Sequence, residues 1–472
     1  MRSRHAVMAL LSTALLGLAA CADDGGLTPE DDEGWRPGGK ADETGVTLDY
    51  KSYDVLFTNP LCRDYTYPSP IKSADGSTTL TSKPKNVYCS KADVAASADR
   101  ASSPQHRLIE WVRPLGAGDE IFLAYLSFSN AAVGDELCAA AERGAKVTFV
   151  LDASSTQSER LAGCGATILL RGHAGSIGYA HNKVILINPH QAGPADADEG
   201  YLRMSFSSGN MSSGVVTHHE NWHFLEAARD GYFAQAHVCL MEAQVDATAS
   251  SGRTQYKTAL NRCRAAITAE EEDDIKAFFI PNKDDSKRAN RYLTGAVADA
   301  ASIDMGAHRF GHSALVSALE RRLADGLTVR MVADDDLYWL DPEVGDPVKT
   351  GSNEPFEAVN VARLERAGGD AFEARYLETN HGEFLLHHNK YLLYRDADGA
   401  PFGLIAGAAN LTTSGFADNF ENIYFIKVPH VLEAFATQFA RVWDGERAPG
   451  DDQDPPVATP RGLMPERNVA GQ

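Results

Sequence analysis

The sequence predicts an α/β protein built from two homologous halves, and three observations carry that expectation. Residues 121–152 and 303–334 read alike, without a gap, at a constant offset of 182. Each copy runs strand, helix, strand, an order that packs helices on a sheet. A His-x-Lys triplet stands late in both halves, at His181-Asn182-Lys183 and at His388-Asn389-Lys390. The length of 472 residues is too great for one ordinary core and comfortable for two. Hydrophobic residues at 43% and charged residues at 23% fit a globular chain. A net charge of −21 works against non-specific binding of DNA or RNA, which draws on Lys and Arg against phosphates, so nucleic acid is not an expected partner.

The N-terminus reads as an export signal. Arg2 and Arg4 give a basic start, and residues 6–20 form an apolar run of signal-peptide length, too short for a stable membrane-spanning helix. The run closes on Leu18-Ala19-Ala20-Cys21, which resembles a bacterial lipobox. That resemblance implies a lipoprotein signal peptide over residues 1–20, acylation of Cys21 and anchorage of an exported lipoprotein to the outer membrane or cell surface. An ordinary secretory cleavage near Ala20 is the alternative, giving a secreted protein. Residues 21–50 are expected to be an acidic flexible tether, because residues 22–43 hold eight acids against two bases and several glycines. At the other end, residues 447–472 are rich in Pro, Gly and charge and are expected to be a disordered tail.

Seven cysteines fit the same compartment. Setting Cys21 aside leaves Cys62, Cys89, Cys138, Cys164, Cys239 and Cys263. Six cysteines allow about fifteen connectivities. Sequential pairs enclose similar short loops, which favours Cys62–Cys89, Cys138–Cys164 and Cys239–Cys263.

The halves are expected at 51–262 and 263–446. Each opens on a short apolar strand ending at proline, over 55–60 and 278–281. A strand over 121–128, a helix through Leu137 and a strand over 147–151 follow, and the second half repeats them. Gly144 and Gly326 close the helices and lead into β-branched strands. Asp152 and Asp334 stand at matching strand ends. The acidic run 270–274 reads as the first turn of a helix capped by Thr268.

Chemistry concentrates late in each half. Strand side chains alternate faces, so His181 and Lys183 point one way, as do His388 and Lys390. Both triplets run into apolar strands. Downstream come Ser207-Ser208-Gly209-Asn210 and Gly407-Ala408-Ala409-Asn410, then Glu220-Asn221 and Glu421-Asn422. Over residues 51 to 446 this resembles the phospholipase D superfamily, whose pattern is His-x-Lys-x4-Asp, Gly-Ser-x-Asn and then Glu. The resemblance implies two α/β/α sandwich halves related by a pseudo-two-fold axis, with one active site between them. It implies a catalytic set of His181, Lys183, Asn210, Glu220, His388, Lys390, Asn410 and Glu421, with His181 as nucleophile and His388 as acid. No metal and no cofactor are expected. The chain departs from the pattern where the motif Asp should stand: Asn188 and Arg395 occupy those places, with Asp396 one position late. That substitution implies altered support around the site and raises the prospect of a weakened enzyme.

The residue types suit phosphodiester cleavage on chemical grounds. Two imidazoles can divide nucleophilic attack and proton donation, and a covalent phosphohistidine splits one hard step into two. Two lysines and two amides can hold the anionic oxygens, while each Glu fixes the tautomer of a histidine. His219-Glu220-Asn221-Trp222-His223 also satisfies His-Glu-x-x-His, a zinc-protease pattern that requires a helix. The repeat puts this segment on a strand, so zinc chemistry is not expected. His218, His387, His308 and His312 receive no catalytic role. The expected activity is cleavage of phospholipid phosphodiesters, with transfer to an alcohol as a variant, by a monomer that meets the membrane through its lipid anchor. The alternatives are an endonuclease of the same superfamily and a catalytically weakened surface protein that binds phosphate esters. Residues 375–382, just before the second triplet, are expected to shape specificity.

Overall fold

The repeat folds into two mixed sheets with the same strand order. The computed structural model describes residues 44–59, 71–72, 79–80, 98–172, 178–190, 200–247, 252–339, 355–377, 387–446 and 457–464. In the first sheet the strands are β1 (Tyr50–Thr58), β2 (Glu120–Tyr125), β3 (Lys146–Leu151), β4 (Thr167–Leu170), β5 (Val184–Ile187), β6 (Tyr201–Ser207) and β7 (Glu220–Ala228). They lie in the order β1-β7-β6-β5-β2-β3-β4. The second sheet contains β8 (Ile275–Ile280), β9 (Ser302–Ala307), β10 (Thr328–Asp334), β11 (Phe372–Leu377), β12 (Lys390–Arg395), β13 (Pro401–Gly407), β14 (Glu421–Ile426) and β15 (Thr459–Pro460). Its order is β8-β14-β13-β12-β9-β10-β11-β15, the first order with one added edge strand.

Local sequence explains the shared pattern. β2 pairs in parallel with β3, and β9 with β10, which requires a crossover; helices Ala131–Glu142 and Ser313–Ala324 supply it. The two helices start alike. The Asn130 side chain accepts from the Val133 N–H at 3.0 Å, and the His312 Nδ1 accepts from the Leu315 N–H at 3.1 Å. They end alike on Gly144 (φ 100°) and Gly326 (φ 97°), in the left-handed region that favours glycine.

Alternation along the strands sorts side chains between two faces. Phe122, Ala124, Val184, Leu186, Met204 and Phe206 face a core shared with Ala277, Phe279, Leu393, Leu404, Tyr424 and Ile426 of the second sheet. Helices Tyr232–Asp246 and Pro429–Asp444 add Phe233, Leu240, Phe435 and Phe439 to it. Ile121, Leu123, Tyr125, Ile185 and Ile187 face the other way, into a separate core beneath helices Pro104–Val112 and Ala131–Glu142. Both sheets thus belong to one unit, Arg36–Gln472, with the halves joined through apolar packing.

Two expected disulfides are present. Cys138–Cys164 and Cys239–Cys263 both span Cα atoms 5.4 Å apart, while Cys62 and Cys89 lie outside the described residues, as does Cys21. The second bond ties helix Tyr232–Asp246 to helix Gly252–Arg264. That helix runs across the expected 262/263 boundary, so the chain passes between halves in the segment after it.

Three expectations need correction. The acidic run 270–274 is not a helix start; it leads as a loop into β8 and its carboxylates hold other segments. Glu272 accepts from the Phe233 N–H, Asp274 from the Leu48 N–H at 2.8 Å, and Asp273 from the Thr44 and Gly45 N–H groups. Backbone donors left over at a helix start and a chain entry draw carboxylates more strongly than a fresh helix would. For the same reason the tether expected through residue 50 is pinned from Thr44 onward. Within the expected disordered tail, Thr459–Pro460 pair with Arg375 and Tyr376 at the edge of the second sheet, and Ala458 is buried. A free sheet edge offers hydrogen bonds that composition does not reveal.

Candidate active site

The site is built where β5 and β12 begin, on opposite sides of the junction between the sheets. Ala180 bridges Phe420, and His387 bridges His219, so each His-x-Lys segment is laid along the segment leading into the other half's Glu strand. The His181 N–H donates to the Phe420 carbonyl and the His388 N–H to the His219 carbonyl, both at 2.9 Å. Asp152 accepts from the Ala180 N–H at 2.8 Å, and Asp334 from the His387 N–H at 2.8 Å. These two carboxylates are the ungapped repeat's matching strand ends. Their sequence signal was visible, but no role could be read from it.

Side chains then cross between halves. His181 Nδ1 lies 2.8 Å from Glu421 Oε2, and His388 Nδ1 lies 2.9 Å from Glu220 Oε1. Each imidazole is therefore oriented by the carboxylate of the opposite half. Both glutamates are completely buried. Lys183 Nζ sits 3.1 Å from His181 Nε2 and donates to the His181 carbonyl at 3.0 Å. Lys390 Nζ donates to the His388 carbonyl at 2.5 Å and to the Ser208 carbonyl of the first half at 3.3 Å. Asn410 Oδ1 lies 3.4 Å from His308 Nδ1. Asn210 stands at the matching place of the first half, half-buried. The two histidines, two lysines and two glutamates expected from sequence are thus assembled across the junction, as a composite of both halves, with Asn410 reached through His308.

Burial governs the electrostatics. It holds His181 below its ordinary value; Glu421 opposes that shift and Lys183 adds to it. His388 is pushed well below its ordinary value, first by burial and then by Lys390, His308 and His218. Lys183 is brought down to about 8, chiefly by burial, against the pull of Glu421 and Glu220. Lys390 also falls well below the usual lysine range, through burial and then Lys183. Two buried cations side by side resist ionisation until an anion enters.

Three histidines without a role assigned from sequence crowd one side. The His308 ring lies 4.7 Å and the His218 ring 5.7 Å from the ring of His388. His218 Nδ1 is 3.3 Å from Glu220 Oε1. His387 is buried beside the bridge to His219. No periodicity marks His218 or His308: His218 meets His388 from the other half, and His308 meets it from 80 residues upstream in the same half.

The zinc-protease pattern has no helix. Glu220 through His223 lie on β7, and His223 points into the core, with Nδ1 3.0 Å from the Tyr53 hydroxyl. Burial takes His223 down to about 3.

Asn188 and Arg395 sit at the far ends of β5 and β12. Asn188, at φ 53°, accepts from the Glu120 N–H at 2.7 Å and donates to Asp119 Oδ1 at 3.0 Å. Arg395 donates to Asp304 at 2.8 Å, and Asp304 also accepts from Arg330. Both residues tie strand ends together and neither touches a site histidine in these contacts. Of the stretch 375–382, residues 378–382 lie outside the described residues.

A duplicated α/β frame holding a crossed His–Lys–Glu set defines a two-half composite-site protein. Residues 296–443, most of the second half, match the family described as cardiolipin synthase, PLD-like domain. Over those residues the chain is similar to the PLD-like proteins of that family. Similar solved structures include phosphatidylserine synthase of Haemophilus influenzae (12% identity, TM-score 0.49, covering 71% of this chain and 83% of that one). Polyphosphate kinase of Porphyromonas gingivalis is another (12%, 0.44, 71% and 44%), so the chain spans less than half of that enzyme. The phospholipase D family member Nuc of Salmonella typhimurium matches 37% of this chain over 95% of its own, at 19% identity and TM-score 0.27. No curated protein matches the sequence.

Proposed function

We propose that the protein is a phosphodiesterase of phospholipase D type, cleaving phospholipid phosphodiesters through a phosphohistidine. The observation that carries this reading is the crossed pair of His–Glu hydrogen bonds at 2.8 and 2.9 Å, with a lysine beside each imidazole. One neutral imidazole attacks phosphorus through Nε2, and the P–O bond to the leaving group breaks. The second imidazole, protonated, gives its proton to the departing alkoxide. Water then attacks the phosphohistidine and passes its proton to that second ring, restoring both histidines. An alcohol in place of water gives transfer. Lys183, Lys390 and the amides of Asn210 and Asn410 hold the phosphoryl oxygens throughout.

The resemblance gives the nucleophile as His181 and the acid as His388. The charges around the rings favour the reverse order. Burial lowers both rings, but Lys390, His308 and His218 push His388 further down, whereas Glu421 opposes the fall at His181. Acid-quench trapping of the phosphoenzyme, with mass-spectrometric mapping of the modified histidine, separates the two orders. Release of headgroup from phospholipid vesicles, against degradation of DNA, tests substrate class in wild type, H181A and H388A. Activity retained in both variants rejects the mechanism, and DNA cleavage without headgroup release rejects the phospholipid reading.

An exported, lipid-anchored chain would meet a membrane substrate. The disulfides fit an oxidising compartment, and Cys21 is the proposed acylation site. No helix among the described residues is long and apolar enough to cross a membrane. Radiolabelled palmitate carried by wild type and lost in C21A checks the anchor.

A further inference from the structure

The two halves treat their buried glutamates differently. In the second half each oxygen of Glu421 has its own partner: Oε2 takes His181 Nδ1 at 2.8 Å and Oε1 takes the Asn419 amide at 3.1 Å. In the first half both partners are imidazoles and both face one oxygen. His388 Nδ1 and His218 Nδ1 lie 2.9 and 3.3 Å from Glu220 Oε1. The other oxygen, Oε2, is buried against Gly209, where any side chain would collide with it, and has no hydrogen-bond partner among the described residues.

Two imidazole nitrogens and one carboxylate oxygen, all within 4.8 Å of one another and all buried, form a ligand set for a borderline-soft divalent ion. Tetrahedral zinc with bonds of about 2.0–2.2 Å holds its donors about 3.3 Å apart. The spacings of 2.9 and 3.3 Å around Glu220 are close to that edge. Three protein donors leave a fourth position open.

We infer that His218, Glu220 and His388 form an inhibitory site for a divalent transition-metal ion of the zinc class. The ion takes the place of the protons between the two rings and the carboxylate, each ring shifting its proton from Nδ1 to Nε2. Binding removes His388 from catalysis and withdraws Glu220 from orienting it. Lys183 and Lys390 share the cavity and oppose a dication, so the ion is dissociable and not structural. This site is unrelated to the His219/His223 pattern: His219 stands in the bridge to His387, and His223, on β7, meets the Tyr53 hydroxyl. Only the loss of turnover rests on the reading proposed above; the binding stands on the geometry alone.

The test uses full-length protein freed of metal and titrated with Co2+, read by its visible absorption, then displaced with Zn2+. The wild type should bind one ion with intense tetrahedral bands. H218N copies the Asn419 contact of the other half and should lose at least about 10-fold in affinity, as should E220Q. H190A, on a half-exposed histidine elsewhere, should bind like wild type. Zinc should also lower wild-type turnover of bis(4-nitrophenyl) phosphate at concentrations that spare H218N. Weak octahedral bands in wild type, or unchanged affinity in H218N, overturns the proposal. Tetrahedral binding lost in H218N in a protein that turns over no phosphodiester sustains the metal site and sinks the enzymatic reading instead.

Discussion

The two halves share a frame and differ at the floor of the site. Strand order, crossover helices, capped starts, glycine ends and the Asp152/Asp334 clamps all recur. Around the histidines the match breaks. Position 218 is His where its counterpart is Asn419, His308 faces a place filled by Leu126 in the first copy, and Gly209 answers to Ala409. The frame answers to folding, which treats the halves alike. On the proposed reading, the floor answers to a phosphodiester, whose leaving and retained groups differ, so one ring must be neutral when the other carries a proton. On that reading the two copies supply two histidines, and the differences around them separate their tasks.

The largest test of that comparison removes the histidines one at a time. H181A and H388A should each lower kcat by at least about 10³-fold, because neither ring can do both tasks. Comparable activity in either single variant breaks the composite site. Next come the crossed carboxylates. E220Q and E421Q should each cost roughly 10²-fold in kcat, and NMR titration should move the opposite half's histidine: His388 for E220Q, His181 for E421Q. A shift confined to the same half would refute the crossing.

The lysines give a pH signature. Lys183, at about 8 in the free site, is charged below that pH and neutral above it. A neutral amine no longer holds phosphoryl oxygens, so kcat/KM should fall as pH rises through about 8. Glu421 helps keep the proton on Lys183, and E421Q should therefore move this limb to lower pH. A flat profile across about pH 7 to 9 contradicts the buried-cation picture.

Smaller effects test the frame itself. D152A and D334A each strand a backbone N–H and should cost about 1–3 kcal/mol in urea unfolding, by similar amounts if the clamps are equivalent. Smallest of all, N188D restores the family's Asp yet should destabilise by about 1 kcal/mol, because a carboxylate would then face Asp119 where an amide now donates. A stabilised N188D would show that the departure at this position is a defect and not a matched replacement.

Much of the site was legible because chemistry was duplicated. The paired His-x-Lys, Asn and Glu recur at matching spacing, the family resemblance marked them as a site, and the constant offset between 121–152 and 303–334 located the crossover units. The acidic run 270–274 misled, since its partners at Thr44, Leu48 and Phe233 are remote in sequence. The tail misled for a related reason: composition carries no trace of the open sheet edge that Thr459–Pro460 complete.

By itself the sequence determined the periodic content of each half, the identities of the paired polar side chains and the two short disulfide loops, because all of these are local or repeated. Only the tertiary structure decided which glutamate serves which histidine. The crossing at 2.8 and 2.9 Å depends on the Ala180–Phe420 and His387–His219 bridges between halves, and no local pattern encodes a contact between strands 168 and 240 residues apart. The same long-range packing gathers His218 and His308 around His388 and buries two lysines together. Burial and proximity set the charges here, and both are properties of the folded pair of sheets.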